Sequence, residues 1–362
     1  MNTTILMLKE YLRDFLRLFA GKIDNFISLL NVYNKPLDIL KLYYLKQGFI
    51  NTRVKMNESN IVITAETVNS AIRLAKVLRE FKGYYTFKNE HVCVAFSNDD
   101  FCWNIHDILE SEPSYQFLKQ FLYLRRMGAY AQRELHGFLI LLDGIKWFVR
   151  ESVWQDIAAG PLLSYLHEPY EYSKWFSKVI ERVRTFIDVG AYIGGYTIHA
   201  CKAGVLVYAV EPSTDNYDVL RRNLELNECD AKLFKVAAGD FKGKAEIRLP
   251  TIRWGLDSLT LVSSGDVMEV VDVVPLDDII SNIKRPVMVK IDVEGFEEHV
   301  LRGMSNLLKS TDYVMIETTK QTHGNVVRYL TSHGFRLIDL HLHKGDTKLW
   351  FNSLFVKRYE KG

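Results

Sequence analysis

Apolar and polar stretches alternate regularly in the C-terminal half of the chain. Short apolar runs predict seven strands, at residues 184–189, 205–210, 232–237, 287–292, 312–317, 335–341 and 349–357. Apolar residues at helical spacing predict helices between them, at residues 195–203, 213–227, 276–282, 296–308 and 322–333. Strands that alternate with helices of this length are typical of a doubly wound α/β fold with a parallel sheet. The last two strands have no helix between them, so they should form an antiparallel hairpin that closes the sheet.

The N-terminal part of the chain has a less regular pattern. Apolar residues at steps of three and four predict an amphipathic helix within residues 1–35. We expect residues 36–135 to form a small accessory α/β domain, which carries no recognisable catalytic motif and ends in a helix over residues 121–135. The third region, residues 136–362, should be the catalytic domain, and it opens with a hairpin over residues 138–148 around Asp143-Gly144.

The predicted N-terminal helix could pack on the protein itself, bind a partner or lie on a membrane surface. Its polar face mixes both signs of charge, which favours packing on the protein, although peripheral membrane contact through residues 1–30 stays possible. Charged residues interrupt the apolar stretch that a signal peptide would need, and no apolar run reaches about 18 residues, the length of a membrane-spanning helix. These observations predict a cytoplasmic protein.

Composition narrows the choice of partners. The chain of 362 residues is 48% hydrophobic and 12% aromatic, which is enough for folded cores in more than one domain. Its net charge of +2 and the absence of a basic run give no reason to expect a nucleic-acid partner. The four cysteines have neither metal-binding nor redox-motif spacing, so free thiols in a reducing compartment are expected.

The strongest functional signal is the segment F-I-D-V-G-A-Y-I-G-G-Y-T at residues 186–197. Asp188 ends an apolar run there, Gly190 and Gly194 lie in the turn and at the start of a helix, and Glu211 ends the next apolar run. This is a β-α-β unit that would hold a nucleoside at the carboxyl ends of two parallel strands.

The residues in the turn favour S-adenosylmethionine over a dinucleotide as the bound cofactor. A dinucleotide fingerprint needs a glycine where this chain has Tyr192, because the backbone must approach a pyrophosphate closely. S-adenosylmethionine lacks phosphate, and its cationic amino-acid end suits the carboxylate of Asp188. Glu211 would bind the ribose hydroxyls by charge-assisted hydrogen bonds.

A second dense motif, V-M-V-K-I-D-V-E-G-F-E-E-H-V-L-R-G-M, occupies residues 287–304. Asp292 ends its strand, Glu294 lies in the following turn, and Glu317 ends the next strand along the chain. Strand ends near the topological switch point of such a sheet line the ligand crevice. We therefore expect these three carboxylates where the methyl group of the cofactor would meet an acceptor. The sequence predicts no metal site, and the alternative is a metal shared by Asp292 and Glu317. His341 and His343 in H-L-H lack a third ligand.

In these motifs the chain resembles the FkbM family of S-adenosylmethionine-dependent methyltransferases. The matching segments occur in order within the C-terminal half, and they are D-V-G-A-Y-I-G-G-Y-T (188–197), V-E-P-S (210–213), N-L-E-L-N (223–227), A-A-G-D (237–240), P-L-D-D-I (275–279), V-K-I-D-V-E-G-F-E (289–297), V-L-R-G (300–303) and I-E-T (316–318). The segment K-I-D-V-E-G-F-E is the most diagnostic, because general class I methyltransferases lack it.

The resemblance implies a Rossmann-like domain that O-methylates a sugar, a glycan or a secondary metabolite. It implies cofactor contacts from the residues of the first turn, Asp188, Gly190, Tyr192 and Gly194, from Glu211 at the ribose and from Asp240 near the adenine. The active-site turn would contain Asp292 and Glu294. Where the family's turn usually has asparagine, this chain has Tyr192.

The sequence therefore predicts an O-methyltransferase in which Asp292 is the base, with Glu294 or Glu317 as the next choices. The loop 253–258, which contains Trp254, is a candidate acceptor lid. The alternatives are a non-catalytic glycan- or partner-binding protein with a vestigial cofactor fold, a nicotinamide-dependent oxidoreductase and a glycosyltransferase. Tyr192 and the predicted terminal hairpin disfavour the oxidoreductase. The glycosyltransferase is disfavoured because no D-x-D motif lies at a strand end in the C-terminal half.

Overall fold

We describe a computed structural model of the chain. The residues that it describes are 53–56, 59–62, 73–74, 76–88, 91–97, 99–104, 107–108, 111–249, 267–344 and 349–358. The predicted helix within residues 1–35 and the predicted lid at 253–258 lie outside these ranges. None of the helices in the described part of the chain is long and apolar enough to cross a membrane. The chain divides into two compact units, Met1–Tyr130 and Ala131–Gly362.

The described residues of the first unit form two small antiparallel sheets and one long helix. The first sheet pairs β1 (Arg53–Met56) with β2 (Ser59–Val62), and the second has the order β3 (Thr86–Lys88), β4 (His91–Ala95) and β5 (Asp100–Asn104). The helix α1 (Glu112–Arg126) begins after Ser111, whose hydroxyl accepts a hydrogen bond from the amide of Ser114 at 3.4 Å.

The prediction of a helix over residues 121–135 was wrong beyond Arg126. The helix ends there, and Gly128 takes a φ of 76°, which turns the chain into β6 (Tyr130–Glu134). The strand belongs to a sheet with β7 (Gly137–Leu142) and β8 (Ile145–Arg150). These two strands form the predicted hairpin, and both residues of its turn, Asp143 and Gly144, have positive φ as a tight hairpin turn requires.

The expectation of free thiols was also wrong. The structure contains a disulfide between Cys93 and Cys102, which the register of β4 and β5 places opposite each other, and a second between Cys201 and Cys229. Disulfides are rare in cytosolic proteins. The cysteines therefore give no support to the predicted cytoplasmic location.

Helices and strands alternate through the second unit as predicted. After β8 come two short π-helical segments, Leu163–His167 and Tyr172–Phe176, and α2 (Gln155–Ala159), α3 (Pro169–Glu171), α4 (Ser177–Ile180), α5 (Gly195–Lys202), α6 (Thr214–Leu226), α7 (Leu276–Ile279), α8 (Glu297–Arg302), α9 (Leu307–Ser310) and α10 (His323–Ser332). The strands are β9 (Thr185–Val189), β10 (Leu206–Val210), β11 (Ala231–Phe234), β12 (Ala237–Ala238), β13 (Gly243–Leu249), β14 (Val267–Val274), β15 (Val287–Ile291), β16 (Tyr313–Thr319), β17 (Phe335–Lys344) and β18 (Leu349–Lys357).

Seven of these strands form one sheet, in the order β11-β10-β9-β15-β16-β18-β17. The first five are parallel, whereas β18 is antiparallel to both β16 and β17. The predicted fold class, a parallel doubly wound sheet closed by an antiparallel hairpin, is therefore confirmed. The strand order reverses between β9 and β15, so the carboxyl ends of these two strands flank the topological switch point.

Burial on both faces explains why the central strands form. Every residue of β9 and β15 is buried, which is typical of parallel strands covered by helices on both sides. One face packs on a cluster that includes Ile187, Val289 and Leu301, and the other on a cluster that includes Trp175, Phe176 and Phe186. Much of the aromatic segment before β9 therefore serves the core.

Candidate active site

A cavity of about 480 Å³ lies at the carboxyl ends of β9, β10, β15 and β16. Its size falls within the range of small-molecule sites, roughly 300–1,000 Å³. Aromatic side chains line it, among them Trp154, Tyr196 and Trp350. The charged residues that line it are Glu168, Asp188, Glu211, Lys290, Asp292, Glu294 and Glu317.

One carboxylate oxygen of Asp188 accepts a hydrogen bond, and the other accepts none. The hydroxyl of Thr197 donates to Oδ2 at 2.6 Å, whereas Oδ1 is buried and has no hydrogen-bond partner in the structure. Burial raises the pKa of Asp188 to about 6, and the nearby charge of Lys290 partly offsets this rise. A buried oxygen of this kind, in the wall of a cavity, is suited to accept a hydrogen bond from a cationic ligand.

The turn after β9 passes very close to the turn after β15. Gly190 has a φ of 82°, and a Cβ atom on it would overlap the backbone carbonyl oxygen of Asp292. The amide of Asp292 in turn donates to the carbonyl of Val189 at 2.9 Å. Glycine is needed at residue 190 both for its backbone conformation and for this approach.

Tyr192 and Glu211 connect the two strand ends of the β-α-β unit. The backbone N–H of Tyr192, which has a φ of 52°, donates to Glu211 Oε2 at 2.9 Å. The other oxygen of Glu211 accepts from the amide of Ser213 at 3.0 Å, so the carboxylate is held at the edge of the cavity. The hydroxyl of Tyr192 donates to Asp156 Oδ1 at 2.6 Å, and Asp156 forms a buried ion pair with Arg150 at 2.7 Å. These polar contacts hold the side chain of Tyr192 in place.

Two of the predicted cofactor residues do not line the cavity. Gly194 has a φ of 97° at the start of α5, and a Cβ atom there would lie 2.7 Å from the side chain of Leu220, so this glycine serves helix packing. The carboxylate of Asp240 accepts hydrogen bonds from Arg302 at 2.7 Å and His299 at 2.8 Å. Although burial raises the pKa of Asp240, these two hydrogen bonds lower it below the ordinary value.

The three predicted catalytic carboxylates do come together. Oxygen atoms of Asp292, Glu294 and Glu317 all lie within 4.8 Å of one another, close enough for one divalent cation to contact all three. Burial raises the pKa of Glu317 well above its ordinary value, and the charges of Asp292, Glu168 and Glu294 raise it further.

Lys290 is the cation of this cluster, and the sequence analysis did not single it out. Its ammonium donates to Asp292 Oδ2 at 3.0 Å and lies 5.1 Å from the centre of the Tyr196 ring. Burial alone would lower the pKa of Lys290, but the charges of Asp292, Asp188 and Glu168 raise it above its ordinary value. The signal for this residue in the sequence is a lysine inside an otherwise apolar strand. Glu168, which accepts a hydrogen bond from Tyr196, lies in an irregular segment without such a signal.

Comparisons with known proteins agree with the motifs. Residues 188–337 match the model of the methyltransferase FkbM domain. Hexuronic acid methyltransferase AglP of Haloferax volcanii is 28% identical over 132 residues, which are 36% of this chain and 54% of that protein. The chain thus matches about half the length of this curated relative.

Two solved methyltransferase structures are similar to this chain at low identity. Magnesium protoporphyrin IX methyltransferase of Synechocystis, solved with bound S-adenosylmethionine, is 12% identical, with 52% of this chain and 80% of that chain covered and a TM-score of 0.33. TrmK of M. capricolum, solved with S-adenosylhomocysteine, is 12% identical, with 50% and 67% covered and a TM-score of 0.33. In its C-terminal half, over residues 188–337, the chain is therefore similar to the methyltransferase FkbM domain.

Proposed function

We propose that the protein is an S-adenosylmethionine-dependent O-methyltransferase whose acceptor is a hydroxyl of a sugar, a glycan or a related metabolite. The observation that carries the proposal is the pair of carboxylates at adjacent strand ends, Asp188 and Glu211, beside a third group at Asp292. The name of the relative from Haloferax volcanii supports a sugar as the acceptor.

The residues in the cavity fit the proposed cofactor. The unpartnered Oδ1 of Asp188 would accept from its ammonium group, and Glu211, held by Tyr192, would bind the ribose hydroxyls. Asp240 is left out of the proposed site because its carboxylate is bonded to Arg302 and His299. A dinucleotide is a poorer fit, since its pyrophosphate would face several carboxylates and, among the described residues, one lysine.

S-adenosylmethionine would supply an activated methyl group, so the protein has to align the acceptor and remove its proton. Asp292 is the proposed base, because it lies at the switch point and its carboxylate is held by Lys290. Its free oxygen would accept the proton of the acceptor hydroxyl, and transfer of the methyl group from sulfur to that oxygen would leave S-adenosylhomocysteine. Glu317 and Glu294, within reach of the same space, would bind the acceptor or take over the proton.

The experiment that tests the proposal is isothermal titration of the full chain with S-adenosylmethionine and S-adenosylhomocysteine. We expect micromolar binding to the native protein, loss of binding in Glu211→Ala, and no change in Glu225→Ala, whose side chain pairs with Arg221 on the surface of α6. A titration with NADH serves as the control ligand. If neither adenosyl compound binds, the methyltransferase proposal fails and a non-catalytic binding protein becomes the better explanation.

Asp292→Asn separates binding from catalysis. We expect it to bind S-adenosylmethionine like the native protein and to release little S-adenosylhomocysteine when acceptors are added. Full turnover in this variant would exclude Asp292 as the base.

A further inference from the structure

One edge of the seven-stranded sheet carries exposed apolar side chains. The strand β17 forms this edge, and within the described part of the chain it pairs on one side only, with β18. Its large apolar residues Leu337, Ile338, Leu340 and Leu342 expose 36%, 46%, 44% and 51% of their surface. Leu340 and Leu342 share one face of the sheet, because residues two apart on a strand point the same way.

The usual protection of an edge strand covers only one end of β17. Natural edge strands carry a lysine, a proline or a bulge that hinders pairing with another chain. In β17 the bulge lies between Leu337 and Asp339, and neither lysine nor proline occurs from there to His343. The strand is regular from Asp339 to Lys344, so its outward backbone N–H and C=O groups are spaced to pair with another strand.

The polar side chains in the middle of β17 are held by their own chain. Asp339 accepts hydrogen bonds from the side chains of Tyr170 and Trp175, each at 2.9 Å. His341 Nδ1 lies 2.7 Å from Glu171 Oε1, and the ring of His341 packs on that of Tyr170. These contacts hold the strand in its extended conformation, so little ordering would be needed when a partner binds its edge.

We propose that β17 pairs with β17 of a second copy of the chain, antiparallel and around a two-fold axis at Leu340, so that the two sheets become one. The sequence of the strand is self-complementary about this residue. The pairing places Leu340 opposite its own copy, Ile338 opposite Leu342, and Asp339 opposite His341. Apolar side chains therefore meet apolar ones, and an acidic residue meets a basic one on each side of the axis.

The extent of the contact sets the strength of the dimer. Pairing along one strand gives an interface at the small end of the range for specific complexes, about 1,200–2,000 Å² in total, so we expect a Kd of roughly 1–50 μM. The dimer needs neither cofactor nor acceptor. A chain that binds no adenosyl compound would therefore refute the proposed function and leave the dimer untouched.

Analytical ultracentrifugation of the full chain between about 1 and 200 μM tests the proposal. Leu340→Arg would bring two like charges together at the axis, and it should weaken association by about tenfold or more. Because Leu340 is nearly half exposed, this variant should unfold at the same urea concentration as the native chain. Leu342→Arg, which is equally exposed, provides the same test should Leu340→Arg fail to fold.

Two further samples make the test specific to β17. The matched control is Val270→Arg on β14, an exposed apolar residue in a different sheet, which should associate like the native chain. The second sample is an equimolar mixture of Leu340→Arg and Leu340→Glu. Each variant alone should be mainly monomeric, whereas the mixture should associate, because opposite charges then meet at the axis.

Four results would overturn the proposal. A native chain that is monomeric at every concentration would leave the edge of β17 to a different partner. A dimer that persists in Leu340→Arg would use another surface. Equal dissociation in Val270→Arg would reflect added charge alone, and a mixture of the two Leu340 variants that stays monomeric would exclude the two-fold axis at this residue.

Discussion

Asp188 lies directly opposite Lys290 in the parallel register of β9 and β15. Both residues are almost fully buried, with 1% and 7% of their surface exposed. Lys290 also donates to Asp292, so one ammonium group lies between a carboxylate on the proposed cofactor side and one on the proposed acceptor side. The two halves of the site are therefore coupled by charge, and three predictions that can be measured without an acceptor concern this centre.

Replacing Lys290 with methionine should destabilise the protein by about 3–5 kcal/mol at pH 7.5, because it leaves buried carboxylates without their cation. The pKa of Lys290 is raised in the folded state, so its contribution is present at every pH below the ordinary lysine value and is lost only in strongly alkaline solution. At pH 5 the loss of stability should be smaller, because this pH is below the pKa of Asp188 of about 6. Asp188 is then largely protonated, so one carboxylate fewer loses its cation. Urea unfolding at the two pH values measures both effects.

The control is Lys244→Met, which breaks an exposed ion pair with Asp272 and should cost less than about 1 kcal/mol. If Lys290→Met were as stable as Lys244→Met at pH 7.5, the central role of Lys290 would be refuted.

Asp188→Asn should make the unliganded protein relatively more stable at neutral pH and weaken cofactor binding. The folded-state pKa of about 6 lies above the ordinary value of 3.8, so Asp188 favours folding at low pH, and this contribution is lost as the pH rises between these values. Asparagine carries no charge and can still accept from Thr197. Relative to the native protein, the variant should therefore gain on the order of 3 kcal/mol between pH 4 and pH 7.5. Urea unfolding across this range checks the shift, and a difference that stays constant with pH would contradict it.

Gly190→Ala should destabilise the protein more than Gly204→Ala. Both glycines have positive φ, at 82° and 76°, so each alanine suffers about 1–2 kcal/mol of backbone strain. A Cβ atom at residue 204 meets no atom within 4 Å, whereas at residue 190 it would overlap the carbonyl of Asp292. We expect a further loss of about 1–3 kcal/mol in Gly190→Ala, measured by thermal or urea unfolding. Equal losses in the two variants would show that the turn after β9 can move away from the turn after β15 without a loss of stability.

Much of the frame of this site is predictable from local patterns. An apolar run that ends in an acidic residue places Asp188, Glu211 and Asp292 at strand ends, and the regular alternation gives the parallel sheet. The missing helix before the last strand gives the terminal hairpin. These features depend only on residues that are neighbours in the sequence, so a single sequence is sufficient to predict them.

The remaining features depend on contacts between distant segments. That Lys290 faces Asp188 follows from the register of two strands about a hundred residues apart, and the pairing of Asp240 with Arg302 depends on how α8 packs. The same holds for the disulfide of Cys201 and Cys229. The start of α1, by contrast, has a local signal, because Ser111 is a residue type that commonly caps the first turn of a helix.

The last prediction separates the backbone of Tyr192 from its side chain. The backbone N–H positions Glu211, whereas the hydroxyl donates to Asp156. Tyr192→Phe keeps the first contact and removes the second, while Asp156 keeps its two hydrogen bonds from the Arg150 side chain. We therefore expect S-adenosylmethionine to bind within about twofold of the native affinity, and the free energy of unfolding to fall by about 1 kcal/mol. Calorimetry and urea unfolding measure the two quantities. A tenfold weaker affinity with unchanged stability would contradict this prediction. It would show that the Tyr192 hydroxyl acts on the cofactor, and that the ion pair of Arg150 and Asp156 is stable without the hydroxyl.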